Sequence, residues 1–307
     1  MTATEPLEPA TTMRAVRLRA PGGVEELVLE QIDTPLPQEG EALVRVHAAA
    51  ITRDELEWVE DRFPAIPSYE LSGVVAAVAP GVDAVSVGER VFALTSFERD
   101  GVAADYAAVP ADLLVSKPGT LDDVESAAVP LAALSAWQGL FVHGQLEADE
   151  RVLIHGGGGG VGHLAVQLAR HRGAYVIATA SQSNAEIARS AGANEVMDPT
   201  DAFEGSPEPI DLVFDTAGGD LLARSQALVR PGGKIVSIAE EPPDEMDATY
   251  FVVEPDREQL QEIGRIIDDG GLRPSIDSVY TLEEAHEAFE RSLSVGKRGK
   301  VVLKVAG

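Results

Sequence analysis

Residues 151–170 read RVLIHGGGGGVGHLAVQLAR. Five consecutive glycines would suit a flexible linker, but linkers are flanked by polar, Ser-rich sequence. Here the glycines join a short apolar run, the pattern of a buried strand, to a segment whose Val161, Leu164, Ala165 and Leu168 share one helical face. The spacing Gly157-x-Gly159-x-x-Gly162, which also fits as Gly156-x-x-Gly159-x-x-Gly162, is the dinucleotide fingerprint. The first glycine makes the tight turn, the second lets the backbone approach a pyrophosphate, and the third lets helix pack on sheet. A helix starting near Val161 offers bare N–H groups and the positive end of its dipole to that pyrophosphate. Gly156, Gly157, Gly159, Gly160, Val161 and Gly162 thus form the candidate cradle, although Gly158 and Gly160 are surplus to the fingerprint itself.

On either side of this loop the chain has two rhythms. AYVIATA (174–180), NEVMD (194–198), DLVFDT (211–216) and KIVSIA (234–239) read as strands. AEIARSAG (185–192), GDLLARSQALV (219–229) and EPDREQLQEIGRIIDDGG (254–271) read as helices. That alternation predicts a parallel, doubly wound α/β sheet. Residues 13 to about 125 differ. MRAVRLRA (13–20) and EALVRVHAAA (41–50) alternate apolar and polar positions, and 72–95 holds three short strand candidates between turn signals. This half is an all-β barrel or sandwich. The tail gives one more helix and a final strand, VVLKV (301–305), and the acidic residues 1–12 read as a disordered leader.

At 307 residues and 45% hydrophobic content the chain suits two globular domains. Its 24 Lys+Arg against 51 Asp+Glu give a formal charge of −27, which opposes nucleic acid and anionic membrane as partners. The absence of cysteine excludes disulfides, thiolate nucleophiles and Cys-ligated zinc. The longest uncharged stretch, 126–142, is too short and polar to span a bilayer, and no secretory signal opens the chain, so the expected location is the cytoplasm. Three of the five lysines (297, 300, 304) fall in the last eleven residues, a basic cluster that can face an anion.

NAD requires an acid about 20 residues past the glycines to hold the ribose 2′-hydroxyl. This chain reads ATASQSN at 178–184 and reaches its first acid only at Glu186. The vacant place suits a 2′-phosphate, with Ser181, Ser183 and Asn184 as donors, so NADP(H) is the expected cofactor. The same residues also suit the cap of the next helix.

With these motifs, PSYELSGVVAAVAPGV (67–82), VGERVFAL (87–94), AAVPLAALSAWQGLF (127–141), 151–170, 178–198 and GKVVLKV (299–305), the chain resembles the medium-chain dehydrogenase/reductase superfamily, in its zinc-free quinone oxidoreductase-like branch. The resemblance implies a GroES-like β-barrel catalytic domain from 13–125 and 272–307, with a Rossmann NADP(H)-binding domain inserted at 126–271. It places the active site between them and the nicotinamide near Ser135, Thr216, Ala217, Ala239 and the backbone of Phe251 and Val253. It further implies homodimers that pair Rossmann edge strands. Zinc-dependent relatives carry Gly-His-Glu where this chain has Ser68, Tyr69 and Glu70, and their upstream Cys ligand has no counterpart in AAITRDE (49–55). The six histidines show no ligand spacing, so no metal is expected, and His155 and His163 read as structural. Zinc-free relatives commonly carry Asn where Thr52 stands.

The expected activity is NADPH-dependent, metal-free hydride transfer to a quinone or α,β-unsaturated carbonyl, whose conjugation spreads the incoming charge. Tyr69 is either proton donor or orienting wall, and Thr52 either a substrate hydrogen-bond donor or a helix cap. Arg298 either reaches a cofactor phosphate or sits in a solvated turn. Trp58 and Phe97 belong to the substrate cleft or the core, and Asp54, Glu55 and Glu57 read as an exposed helix face. Two other readings remain: an enoyl-thioester reductase of polyketide or lipid assembly, and a non-catalytic NADPH-binding sensor.

Overall fold

The computed structural model describes residues 9–59, 62–200 and 208–306. The first eight residues of the expected leader lie outside that range, and regular structure begins at Thr12. Strands β1 (Thr12–Leu18) and β2 (Leu27–Asp33) form an antiparallel pair. The central strand of the larger N-terminal sheet is β3 (Glu41–Ile51), buried along nearly its whole length. It pairs with β4 (Glu70–Val78), which pairs with β5 (Arg90–Leu94). The short strands β6 (Tyr106–Pro110) and β7 (Val115–Ser116) add to β3 and β5 respectively. Only two strands form in 72–95, not three: residues 79–89 turn, with Gly81 and Gly88 at positive φ.

After α1 (Asp123–Ala127), opened by a capping box from Asp122 and Glu125, the chain enters α2 (Pro130–Trp137). Ala48 and Ala50 on β3 leave room for Ala127 and Ala128 to pack directly on that sheet. A wide π-helical turn, Gln138–His143, extends α2.

The α/β half follows the rhythm read from sequence: β8 (Arg151–His155), α3 (Gly162–Arg172), β9 (Tyr175–Thr179), α4 (Ala185–Ser190), β10 (Glu195–Met197), β11 (Ile210–Asp215), α5 (Gly219–Arg224), β12 (Val229–Ser237) and β13 (Thr249–Tyr250). The strands are parallel, in the order β10-β9-β8-β11-β12-β13. The first strand of the unit sits third from one edge, so the strand order reverses between β8 and β11. A ligand crevice opens at such a reversal, beyond the C-terminal strand ends. Helix α3 stops at Gly173, whose φ of +93° lets its N–H cap the last carbonyls. Helix α5 is shorter than expected: after Arg224 the chain tightens into a single 3-10 turn.

Helix α6 (Arg257–Asp268) is capped by Asp256 and buries Leu260, Ile263, Ile266 and Ile267. The tail then returns to the first sheet, where β15 (Lys300–Lys304) pairs antiparallel with β3. A strand missed in the sequence, β14 (Ile276–Thr281), runs parallel to β15, with α7 (Ala285–Leu293) between them. The glycine loop therefore lies beside residues contributed by the chain's C-terminal end.

Candidate active site

The five glycines turn from β8 into α3, and most of them have no room for a side chain. Gly156 has φ +76°, and a Cβ there would lie 2.6 Å from Thr216 Oγ1. A Cβ on Gly157 would meet Ala178 Cβ at 2.6 Å, and one on Gly162 would meet the Gly156 carbonyl oxygen at 2.1 Å. Helix α3 begins at Val161 and Gly162 with no side-chain cap and no acid in its first turn. An uncapped helix end on a glycine turn at the switch point is chemically suited to a diphosphate, so the residues present fit a dinucleotide.

Of the two surplus glycines, only Gly158 has a steric reason. A Cβ on Gly158 would lie 2.5 Å from the Asn184 carbonyl oxygen, and one on Gly160 would touch Lys300 Cδ at 3.4 Å. His163 braces the loop from below. Ser275 N–H donates to its Nε2 at 2.8 Å, so the ring proton sits on Nδ1 and donates to the Gly159 carbonyl, also at 2.8 Å. Burial pushes the imidazole down to about 4, which keeps it neutral.

At the expected ribose end, Ser181 and Ser183 are exposed and hydrogen-bonded to each other at 3.0 Å. Asn184 is engaged elsewhere: its amide donates to the Lys297 carbonyl at 2.9 Å and to the Gly158 carbonyl at 3.4 Å. It makes no side-chain cap on α4, contrary to the capping alternative. Its grip brings the turn of Lys297 and exposed Arg298 against the glycine loop. Lys297 donates to the Ser292 carbonyl, and burial, with Lys300 and Arg53 nearby, lowers its ammonium to about 8.

The expected nicotinamide residues gather at the C-terminal ends of the parallel strands. Thr216 Oγ1 donates to the His155 carbonyl at 2.7 Å, directly over Gly156. Asp215, fully buried and with its pKa raised by that burial, accepts from the N–H groups of Ala217 and Gly218 and from Ser237 Oγ. Ser237 Oγ in turn accepts from Ala239 N–H at 3.2 Å, so one carboxyl ties both loops. Phe251 N–H donates to the Ser237 carbonyl, and the Phe251 ring lies 4.4 Å from that of His143. Gln138 clamps the segment after Val253, exchanging bonds of 2.9 and 3.1 Å with the Glu254 backbone. Ser135 is buried on α2, one turn before Gln138.

A buried polar knot stands on the barrel side. Lys300, at the start of β15, is ion-paired with Glu70, and both side chains are nearly solvent-free. Lys300 Nζ also donates to Thr52 Oγ1 at 3.2 Å, while Glu70 Oε2 accepts from Leu131 N–H at 2.8 Å. Removing one member of such a pair leaves an uncompensated buried charge and costs about 3–5 kcal/mol. The sequence marked Glu70 only as the counterpart of a zinc-motif glutamate and Lys300 only as part of a basic cluster; nothing local paired the two.

Glu55 corrects an expectation. It is 1% exposed and lies in a turn, not on a solvated helix face. Its carboxyl accepts from the N–H groups of Thr52 and Ser68 at 2.9 and 3.1 Å, and burial pushes it up to about 8. Thr52 therefore does not cap a helix; its backbone anchors Glu55 and its hydroxyl faces Lys300. Tyr69 is fully buried, with its ring against Trp58 and Phe97 and its hydroxyl without a hydrogen-bond partner among the described residues. Burial raises its pKa.

The donor set at this position does not fit zinc. Both Glu70 oxygens are occupied, the neighbouring ring is a tyrosine, and no group of three or more His, Cys, Asp or Glu among the described residues is arranged to hold a metal ion. A doubly wound sheet with a glycine cradle, joined to a barrel that presents a polar knot, defines a nicotinamide-dependent oxidoreductase.

Residues 38–119 match the alcohol dehydrogenase GroES-like domain family and 191–303 the zinc-binding dehydrogenase family. A probable zinc-binding mitochondrial oxidoreductase of Arthroderma benhamiae is 34% identical, with 91% of this chain and 93% of that protein covered. The chain belongs to the medium-chain dehydrogenase/reductase superfamily, in its quinone oxidoreductase-like branch. The chloroplastic NADPH-dependent alkenal/one oxidoreductase of Arabidopsis thaliana is 32% identical, with 92% and 77% covered. The quinone oxidoreductase structure from Coxiella burnetii superposes with a TM-score of 0.84 at 28% identity, over 96% of this chain and 99% of that one.

Proposed function

We propose that this protein is an NADPH-dependent reductase of quinones or α,β-unsaturated carbonyl compounds that works without a metal. The observation that carries the reading is the juxtaposition of an uncapped glycine cradle with a polar knot built from Lys300, Glu70 and Thr52. Reduced nicotinamide, when bound, supplies a hydride. The loop of 156–162 would hold the diphosphate, with Thr216, Ala217, Ala239, Ser135 and the backbone of Phe251 and Val253 lining the ring. The exposed hydroxyls of Ser181 and Ser183 would take a 2′-phosphate, with Arg298 adding charge; Asn184 would shape that corner through its carbonyl contacts. We read 13–125 and 272–307 as the GroES-like catalytic domain and 126–271 as the Rossmann domain.

Hydride addition to a conjugated acceptor leaves negative charge on its oxygen, and one proton completes the reduction. Thr52 Oγ1 accepts from the Lys300 ammonium and donates to Glu70 Oε1 at 3.4 Å, a long bond that its proton would exchange for the developing anionic oxygen. The Tyr69 phenol, unpartnered, is the candidate proton donor. A strong Lewis acid is unnecessary because the acceptor's conjugation delocalises the charge. The relatives named for quinones and alkenals support this substrate class. No helix among the described residues is long and apolar enough to cross a membrane, and the charge of −27 favours work in the cytoplasm on small uncharged acceptors.

Following loss of NADPH absorbance against quinones, enones, enals and enoyl thioesters tests the reading. Quinones or enones should be reduced, with NADPH preferred to NADH. Reduction of thioesters alone would move the protein to lipid assembly, and tight NADPH binding without any turnover would remove the enzymatic reading.

A further inference from the structure

Trp58, Tyr69 and Phe97 come from three separate segments and meet ring to ring. Trp58 lies over Tyr69 at 6.0 Å and 28°, while Phe97 presents an edge to Tyr69 at 5.1 Å and 85°. Tyr69 directly precedes Glu70, whose ion-pair partner Lys300 runs beside Gly160 of the cradle, within 3.4 Å of where a Cβ there would stand, so the rings adjoin the polar knot. The Tyr69 hydroxyl is sealed from water and has no hydrogen-bond partner among the described residues. The Arg62 guanidinium lies close enough to oppose the rise that burial gives the phenol, while its Nη2 donates to the Phe97 carbonyl at 2.6 Å. Buried hydroxyls without partners are uncommon, and an incoming acceptor atom would complete this one.

The two covering rings are held differently. Trp58 follows a turn stapled by buried Glu55 to both Thr52 and Ser68. Phe97 sits in the 96–99 turn beside exposed Glu98, tied through its own carbonyl to Arg62. Trp58 is thus the fixed platform and Phe97 the ring that can yield.

We propose that this trio is the acceptor site, where the ring of a quinone or an aryl-conjugated enone replaces Phe97 against Tyr69 and its carbonyl oxygen accepts from Tyr69 Oη. The assignment rests on the reductase reading above. It makes Trp58 and Phe97 specificity-determining residues: a flat ring recovers the aromatic contact that Phe97 gives up, whereas an open-chain enal offers an oxygen but no ring face.

The test compares kcat/KM for a naphthoquinone, a phenyl-substituted enone and an open-chain enal in the wild-type protein and in Trp58→Leu, Phe97→Leu and Tyr69→Phe. The wild type should favour ring acceptors by about tenfold, the size of one aromatic contact. Trp58→Leu should bring the ratio near unity, Phe97→Leu should lower KM for ring acceptors alone, and Tyr69→Phe should cost about tenfold or more on every acceptor. A binding measurement needs no turnover and none of the core substitutions: in a Trp137→Phe background, the remaining tryptophan, Trp58, should be quenched by the aryl enone and not by the enal. Equal efficiency on ring and open-chain acceptors, or an unchanged ratio in a folded Trp58→Leu, overturns the acceptor site while the reductase reading stands. No reduction of any acceptor by protein that binds NADPH removes that reading, and this assignment with it.

Discussion

His163 shows how one side chain couples binding to stability. Its two ring nitrogens join the Gly159 carbonyl to Ser275 N–H, an arrangement open only to the neutral ring. Burial lowers both His163 and His155 to about 4, below the unfolded value near 6.5. A depressed base stabilises the fold above about pH 6.5 and loses that contribution as pH falls through about 4, a shift worth about 3 kcal/mol for each ring. These two rings should therefore lower urea midpoints between about pH 6.5 and 4, against an opposite contribution from Glu55, whose carboxyl, raised to about 8, favours the fold as pH falls. His163→Asn should remove about half of that drop and weaken NADPH binding; an unchanged acid limb would refute the assignment. Glu55 teaches the opposite lesson about reading charge. Beside Asp54 and Glu57 it looks like part of a solvated face, yet two backbone donors and a closed turn take it out of water.

The β8–α3 turn makes a sharper claim about individual glycines than the fingerprint does. Gly162→Ala would drive a methyl to 2.1 Å from a backbone oxygen, which must shift either the helix or the turn. Gly160→Ala makes only ordinary contacts, with the flexible Lys300 chain at 3.4 Å and the Gly299 carbonyl oxygen at 3.6 Å. Thermal unfolding should show Gly162→Ala destabilised by about 3 kcal/mol or more with NADPH binding lost, and Gly160→Ala within about 1 kcal/mol of the parent. Equal tolerance of both would contradict this packing. The turn, β8, α3 and the strand alternation were legible because each rests on local periodicity and on glycine's special backbone. The shortening of α5 and the missing middle strand of 72–95 were not, since competing turn hydrogen bonds decide such ends. Nor was β14, which becomes a strand only by pairing with β15.

Across the whole molecule, the C-terminal return ties the two halves together. β15 completes the barrel sheet, and the turn before it reaches Asn184 and Gly160. The opposite edge of the Rossmann sheet ends in β13, a two-residue strand followed by Val252 at 60% exposure, with Tyr250 also partly exposed. An open apolar edge is a template for pairing with a second copy. Sedimentation should show a homodimer at micromolar protein, and Val252→Asp should give a monomer; a monomeric wild type would exclude pairing through this edge.

By itself the sequence determined the doubly wound half, the strand–glycine–helix turn and the lack of thiol chemistry, because these follow from periodicity, composition and spacing along the chain; the family was legible only through the likeness of its motifs to known ones. Only the tertiary structure decided that Lys300 meets Glu70 across 230 residues, that Glu55 is buried, and that the Tyr69 hydroxyl has no partner among the described residues. Burial and ion pairing depend on which segments fold against one another, and no local pattern records that.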